Sequence, residues 1–130
     1  MEYRPACESD FDAVREFLAA NGWGKRVADA ERFRKMIENA SRTVVAVEGG
    51  WIVGFARALC DDVSNGNIGT VVVAPDKRGH GVGREMVKLL VGDDPDITWG
   101  LRAGHGSGEF WKKMGFAESS VAMERTRSDI

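Results

Sequence analysis

A chain of 130 residues is the size of one ordinary domain, and its hydrophobic content of 43% is enough for a packed core without a metal or disulfide staple. The formal net charge of −2 argues against a nucleic-acid partner, which would normally be met by a basic excess. Two cysteines, Cys7 and Cys60, make neither a disulfide framework nor a zinc pair, and no stretch approaches the roughly 18 apolar residues of a membrane span. The start, Met1 to Pro5, has no apolar signal core, so a reducing, cytoplasmic location with no membrane partner is expected.

Residues 1–130 read as one domain, without linker or repeat. A short strand is expected over residues 2–7. Ser9 then starts a helix as its N-cap, with Asp12 three residues on as a weak capping box, and Phe11, Val14 and Leu18 form its apolar face. Asn21 and Gly22 end that helix. A second helix runs from about Asp29 to Asn39, with Phe33, Met36, Ile37 and Ala40 as its stripe. Thr43 to Val47 and Trp51 to Leu59 form a hairpin around Glu48-Gly49-Gly50. Asn65-Gly66 signals another turn, and Ile68 to Val73 is the most buried-looking strand, stopped by Pro75. Gly83 to Val91 is helical with Gly92 as its stop. Ile97 to Leu101 is a strand, Ser107 to Met114 a helix with Gly115 behind it, and residues 116–125 close with one more strand or a short pair. Trp51, Trp99 and Trp111 read mainly as packing residues.

This order is β-α-α-β-β-β-α-β-α-β. Three consecutive strands imply antiparallel pairing, and the later β-α-β implies a parallel pair joined by a right-handed crossover. The expected fold is α/β: a mixed, mostly antiparallel sheet of six to seven strands with four helices on both faces.

The segment Val73-Ala74-Pro75-Asp76-Lys77-Arg78-Gly79-His80-Gly81-Val82-Gly83-Arg84 carries the chemistry. A buried strand ends, a glycine-rich turn follows and a helix begins. Helix starts expose unpaired N–H groups with partial positive charge, and glycines let an anion approach the backbone. Together they make a phosphate cradle, with Lys77, Arg78 and Arg84 adding charge at its mouth. The Walker A spacing is absent, and the third glycine comes one residue too early for the dinucleotide fingerprint. A plain surface turn is the alternative.

Arg78-Gly79-His80-Gly81-Val82-Gly83 resembles the [QR]xxGx[GA] signature of the GNAT superfamily of N-acetyltransferases, and Val73-Ala74-Pro75 resembles its V-x-P lead-in. Phe110-Trp111-Lys112-Lys113-Met114-Gly115-Phe116 resembles its F-Y-x-x-x-G-F. Arg4-Pro5-Ala6 with Ser9-Asp10 resembles its opening R-x-A-x-x-D, and Val44 to Ala56 resembles its hairpin arm. The five motifs span nearly the whole chain in the right order.

The resemblance implies acetyl-CoA as acetyl donor, with no metal, lying in a cleft between the strand ending at Val73 and the one around Ile97 to Leu101. The pantetheine arm would pair with backbone groups of Val71 and Val73. The pyrophosphate would fall on Arg78, Gly79, His80, Gly81, Val82, Gly83 and Arg84. The reaction would be direct attack of a small-molecule or peptide amine on the thioester, with the backbone N–H of Val73 as oxyanion donor. The sequence departs from the family where a tyrosine commonly protonates the leaving thiolate: that position is Trp111, and the only tyrosine is Tyr3. A carboxylate on the central strand is also missing, since Ile68 to Val73 contains no acid. A CoA thiol has a pKa near ~8.5, so its thiolate leaves with little help.

Asp61, with Asp62, and His105 are candidate bases, each with a solvated-loop alternative. Trp23, Lys25 and Arg26 form a loop that could cover the acceptor; a core tryptophan among solvated charges is the alternative. Beside the enzyme stand two other functions, a non-catalytic acyl-CoA-binding module and a flavin or nucleotide binder. The residues leave the acceptor open and leave room for a homodimer.

Overall fold

The structure is a computed structural model that describes residues 1–128. Five strands form one sheet in sequence order: β1 (Glu2–Arg4), β2 (Arg42–Glu48), β3 (Trp51–Cys60), β4 (Asn65–Val73) and β5 (Thr98–Leu101). The first three neighbouring pairs are antiparallel and β4–β5 is parallel. Helices α1 (Phe11–Leu18) and α2 (Ala30–Glu38) lie between β1 and β2 in the chain; α3 (Val82–Val91) makes the crossover from β4 to β5, and α4 (Gly108–Lys113) follows β5.

Alternation along the strands divides the core into two layers. On one face Val14 and Leu18 of α1 and Phe33 and Ile37 of α2 pack on Val45, Phe55 and Val72. On the other, Val82, Met86 and Leu90 of α3 and Trp111 of α4 pack on Val44, Ala46, Ala56 and Ile68. Each fully buried side chain of this size contributes about 1.5–3 kcal/mol, so both helical layers are anchored. Four helices on two faces of a mostly antiparallel sheet match the expectation.

The count of six to seven strands does not. Among the described residues no strand follows β5, and residues 117–128 run as exposed, irregular chain. Val121 and Met123 are 85% and 94% exposed, so no buried face favours a strand there. An Arg102–Glu124 ion pair of 2.7 Å is one tie to the body.

Local signals also shifted. Pro5 follows directly on β1, which ends at Arg4. The first helix is entered through a 3-10 turn, Glu8–Asp10, whose box joins Cys7 and Asp10 rather than Ser9 and Asp12: Asp10 accepts the Cys7 N–H at 2.8 Å. Asp29, where the second helix was expected to begin, is the N-cap of α2 and accepts from the Glu31 and Arg32 N–H groups. Gly49 and Gly50, with φ of 57° and 82°, make the hairpin turn between β2 and β3. Trp51, beside it, is 77% exposed and is not a packing residue.

Asn65-Gly66 is strand, not turn. The turn lies at Asp61–Ser64, and Gly66 is needed for a tertiary reason. A Cβ there would collide with the Trp99 ring, which packs across from β5 while Arg42 stacks on it at 5.2 Å. We therefore expect Gly66→Ala to destabilise the fold by about 1–3 kcal/mol in a denaturant titration, the cost of overpacking. An unchanged midpoint would show that Trp99 moves aside freely.

Candidate functional site

The site is built where β4 loses one neighbour. β4 pairs with β3 as far as Val73, but with β5 only over Asn65–Ile68. Beyond Ile68 the two parallel strands separate, leaving the stretch from Gly69 to Val73 open on that side. Its span is about 13 Å at ~3.3 Å per residue. The Ala74 N–H donates to Val53 O at 2.8 Å, so Ala74 faces β3. Strand alternation then turns the backbone groups of Val71 and Val73 toward the open side. The Val73 carbonyl accepts from Arg78 Nε at 3.3 Å.

The chain leaves β4 through a 3-10 turn at Pro75–Lys77 and reaches α3 through Gly79 and Gly81, with φ of 79° and 84°. These left-handed angles are open to glycine and costly for other residues. Gly81 is the N-cap of α3 and offers no side-chain cap. The N–H groups of Val82, Gly83 and Arg84 therefore have no acceptor among the described residues. They open on a cavity of about 320 Å³ bounded by Val73, Arg78, Gly79, Gly81, Gly83, Arg84 and Phe110. Space where a Cβ would stand at Gly79 and Gly81 is clear to 4 Å. Unpaired donors, exposed arginines and missing side chains fit a diphosphate.

The expected residues do not all converge here. Lys77 borders the cavity, but its Nζ lies 2.6 Å from Glu48 Oε2, and that partner raises the lysine pKa and lowers the glutamate's. His80 is exposed and is not part of the cavity wall. Asp61 lies beyond the opposite end of β4 from Val73, a strand of about 26 Å at ~3.3 Å per residue. Its carboxylate accepts from the Ser64 hydroxyl and from the N–H groups of Val63, Ser64 and Asn65. These bonds, the Ser64 side chain first, hold it well below the usual carboxylate range. So stabilised an anion organises its loop and is a poor proton acceptor. Asp62 pairs with Arg42 at 2.8 Å. His105 is exposed in the loop between β5 and α4.

Trp23 is half-buried against the α1–α2 layer, and Arg26 is exposed in the same connection. Trp111 is buried, packed edge-on between Phe110 at 4.9 Å and Phe116 at 5.4 Å. Tyr3 sits on β1, three strands from β4. Both cysteines are free. No group of three metal-ligating side chains exists among the described residues, nor a helix long and apolar enough to cross a membrane.

Two residues escaped the sequence reading. Phe110 walls the cavity, where a Cβ on Gly83 would touch it at 3.4 Å. Arg57 of β3 reaches across to β4, its Nε donating to Thr70 Oγ1 at 3.0 Å. Its signal was a lone charge inside the otherwise apolar strand Trp51–Cys60.

A mixed sheet splayed beside a glycine turn with unpaired helix-start amides defines an α/β protein with a cleft open along β4. The family model for the acetyltransferase (GNAT) domain matches residues 9–129, and the chain belongs to that family. It is 37% identical over 90 residues to serotonin N-acetyltransferase 2, chloroplastic, of Oryza sativa subsp. japonica, covering 65% of this chain and 43% of that protein. It is 31% identical over 112 residues to the uncharacterized N-acetyltransferase ycf52 of Pyropia yezoensis, covering 73% of this chain and 58% of that one. The chain thus spans about half the length of these curated relatives. A predicted acetyltransferase with acetyl-CoA from Clostridium acetobutylicum shares the fold, with a TM-score of 0.70 at 20% identity, over 96% of this chain and 95% of that one.

Proposed function

We propose that this chain transfers the acetyl group of acetyl-CoA to a primary amine by direct attack. The observation that carries the proposal is the alignment of two features: the open edge of β4 leads straight into the unpaired N–H groups at the start of α3. A bound acetyl-CoA supplies the thioester carbon that the amine attacks. The N–H groups of Gly81, Val82, Gly83 and Arg84, with the side chains of Arg78 and Arg84, hold its diphosphate. The outward backbone of Val71 and Val73 grips the arm as a neighbouring strand would. The Val73 N–H, or its equivalent at Val71, donates to the developing oxyanion.

Proton transfer is the part these residues serve least. Trp111 is enclosed by aromatic rings and Tyr3 is remote, so water accepts the ammonium proton and the thiolate leaves unprotonated. His105, exposed in the loop before α4, remains the one candidate base with an imidazole to offer. Trp111→Phe should accordingly retain most of the turnover, with some loss of melting temperature because the replacement is smaller. A collapse of kcat at unchanged stability would give the indole a direct role. A cytoplasmic location belongs to the same proposal, although the rice relative is named chloroplastic.

The buried Trp111 favours one second reading, a module that binds acyl-CoA without turnover. Incubation with acetyl-CoA and a broad amine panel, serotonin included, separates the two. Release of free CoA that depends on the amine supports the enzyme; tight binding without release supports the module. Protection by nucleotides but not by desulfo-CoA would reject both.

A further inference from the structure

Resting on the acetyl-transfer reading, we propose that Arg57 binds a carboxylate of the acceptor, so that the favoured substrates are amines that also carry an acid, such as free amino acids. Phe55 and Val72 point to the α1–α2 face of the sheet, and alternation places Arg57 and Thr70 on that same face. β4 bulges there: Arg57 is opposite Thr70 and Ala58 is opposite Ile68, leaving Gly69 as the extra residue. The guanidinium lies directly over Gly69, since a Cβ on that glycine would stand 2.8–2.9 Å from its Cζ and both terminal nitrogens. Gly69 is also where the open edge of β4 begins. A donor arm running from the cradle along Val73 would bring its reacting end to the Val71 N–H, two residues from this bulge.

Arg57 is half-buried and has no carboxylate partner among the described residues. Its polar contact within the protein is Thr70 Oγ1, made by Nε alone, which leaves the two terminal nitrogens for another group. Burial depresses its pKa, and no neighbouring acid offsets that. A desolvated cation without a counterion is costly to keep. A carboxylate would accept from the planar fork in the two-point geometry that arginine favours.

Access comes from the next row of the sheet. Leu59 and Asn67, paired across β3 and β4 on this face, are both exposed, so the α1–α2 layer does not cover the sheet beyond Arg57. An open depression of about 450 Å³ bounded by Ser41, Leu59, Asp61 and Asn67 starts in that row. An acceptor entering over Leu59 would meet Arg57 first and the donor's end next.

The test uses matched acceptors, with and without the acid: tryptophan against tryptamine, and phenylalanine against its amide. Acetyl transfer is followed for the wild-type chain, Arg57→Gln and Arg57→Lys, with CoA affinity measured by calorimetry. Wild type should prefer each acid by about 10–100-fold in kcat/KM, the size of one charge-assisted pair. In Arg57→Gln that preference should vanish through a higher KM for the acid; Arg57→Lys should restore part of it; CoA affinity should not change. Equal use of both partners by wild type, or a preference that survives Arg57→Gln, overturns the proposal while leaving acetyl transfer standing. Absence of CoA binding would remove both.

Discussion

Gly81→Val should weaken CoA binding by at least about a hundredfold, measured by calorimetry, while the far-ultraviolet spectrum keeps its helix and strand signals. Gly81 adopts φ 84° as the N-cap of α3, and a β-branched residue is strained there. A Cβ would meet nothing within 4 Å, so the harm does not come from a clash inside the protein. It comes from two other sources. The new side chain projects into the space beside the unpaired amides, and relaxing the φ angle rotates those amides off their common target. Three or four charge-assisted bonds to a diphosphate, each worth about 1.5–3 kcal/mol, would be lost or misaimed together. Gly81→Ala should give an intermediate result, because it strains φ with far less bulk. Wild-type affinity in the valine variant would mean that the diphosphate is held elsewhere.

The cradle was legible because its causes are local. A strand, a run of glycines and a helix start lie within a dozen residues, and left-handed angles at Gly79 and Gly81 follow from residue type. The Gly49-Gly50 turn was legible for the same reason. What escaped depended on distant partners. Gly66 looked like a turn residue, yet it is glycine because Trp99, 33 positions later, lies across it. Lys77 looked available to a phosphate, yet Glu48 from the end of β2 holds it. Asp61 looked like a base, and only the folded loop shows its oxygens filled by four donors. Arg57 had no local pattern to mark it, since only the bulge at Gly69 brings it to the open edge. The final strand failed differently: residues 116–125 contain apolar side chains but no regular alternation, and β5 offers a four-residue edge.

Asp10→Ala should lower stability by about 3 kcal/mol without touching the chemistry. Asp10 is 9% exposed and takes both terminal nitrogens of Arg4, at 2.6 and 3.0 Å, together with the Cys7 N–H. It thereby ties the end of β1 to the start of α1. Arg4 is about one-third exposed, so its orphaned charge can reach water, and the loss falls at the lower end for a broken buried pair. In a domain of this size that loss corresponds to roughly 10 °C in melting temperature. The pH dependence has a fixed sign. The Arg4 guanidinium, by hydrogen bond first, holds the Asp10 carboxyl far below the usual range. A depressed folded pKa stabilises the native state above the ordinary carboxylate pKa of about 4, and that contribution fades as pH falls through the folded value. The gap between wild type and Asp10→Ala should therefore be full at pH 7 and shrink progressively below pH ~4. CoA affinity, measured at a temperature where both chains are folded, should be equal, because the cradle lies at the β4–α3 junction. A pH-independent gap would assign Asp10 a packing role alone, and reduced CoA affinity in the folded variant would show that the β1–α1 junction shapes the cleft from across the sheet.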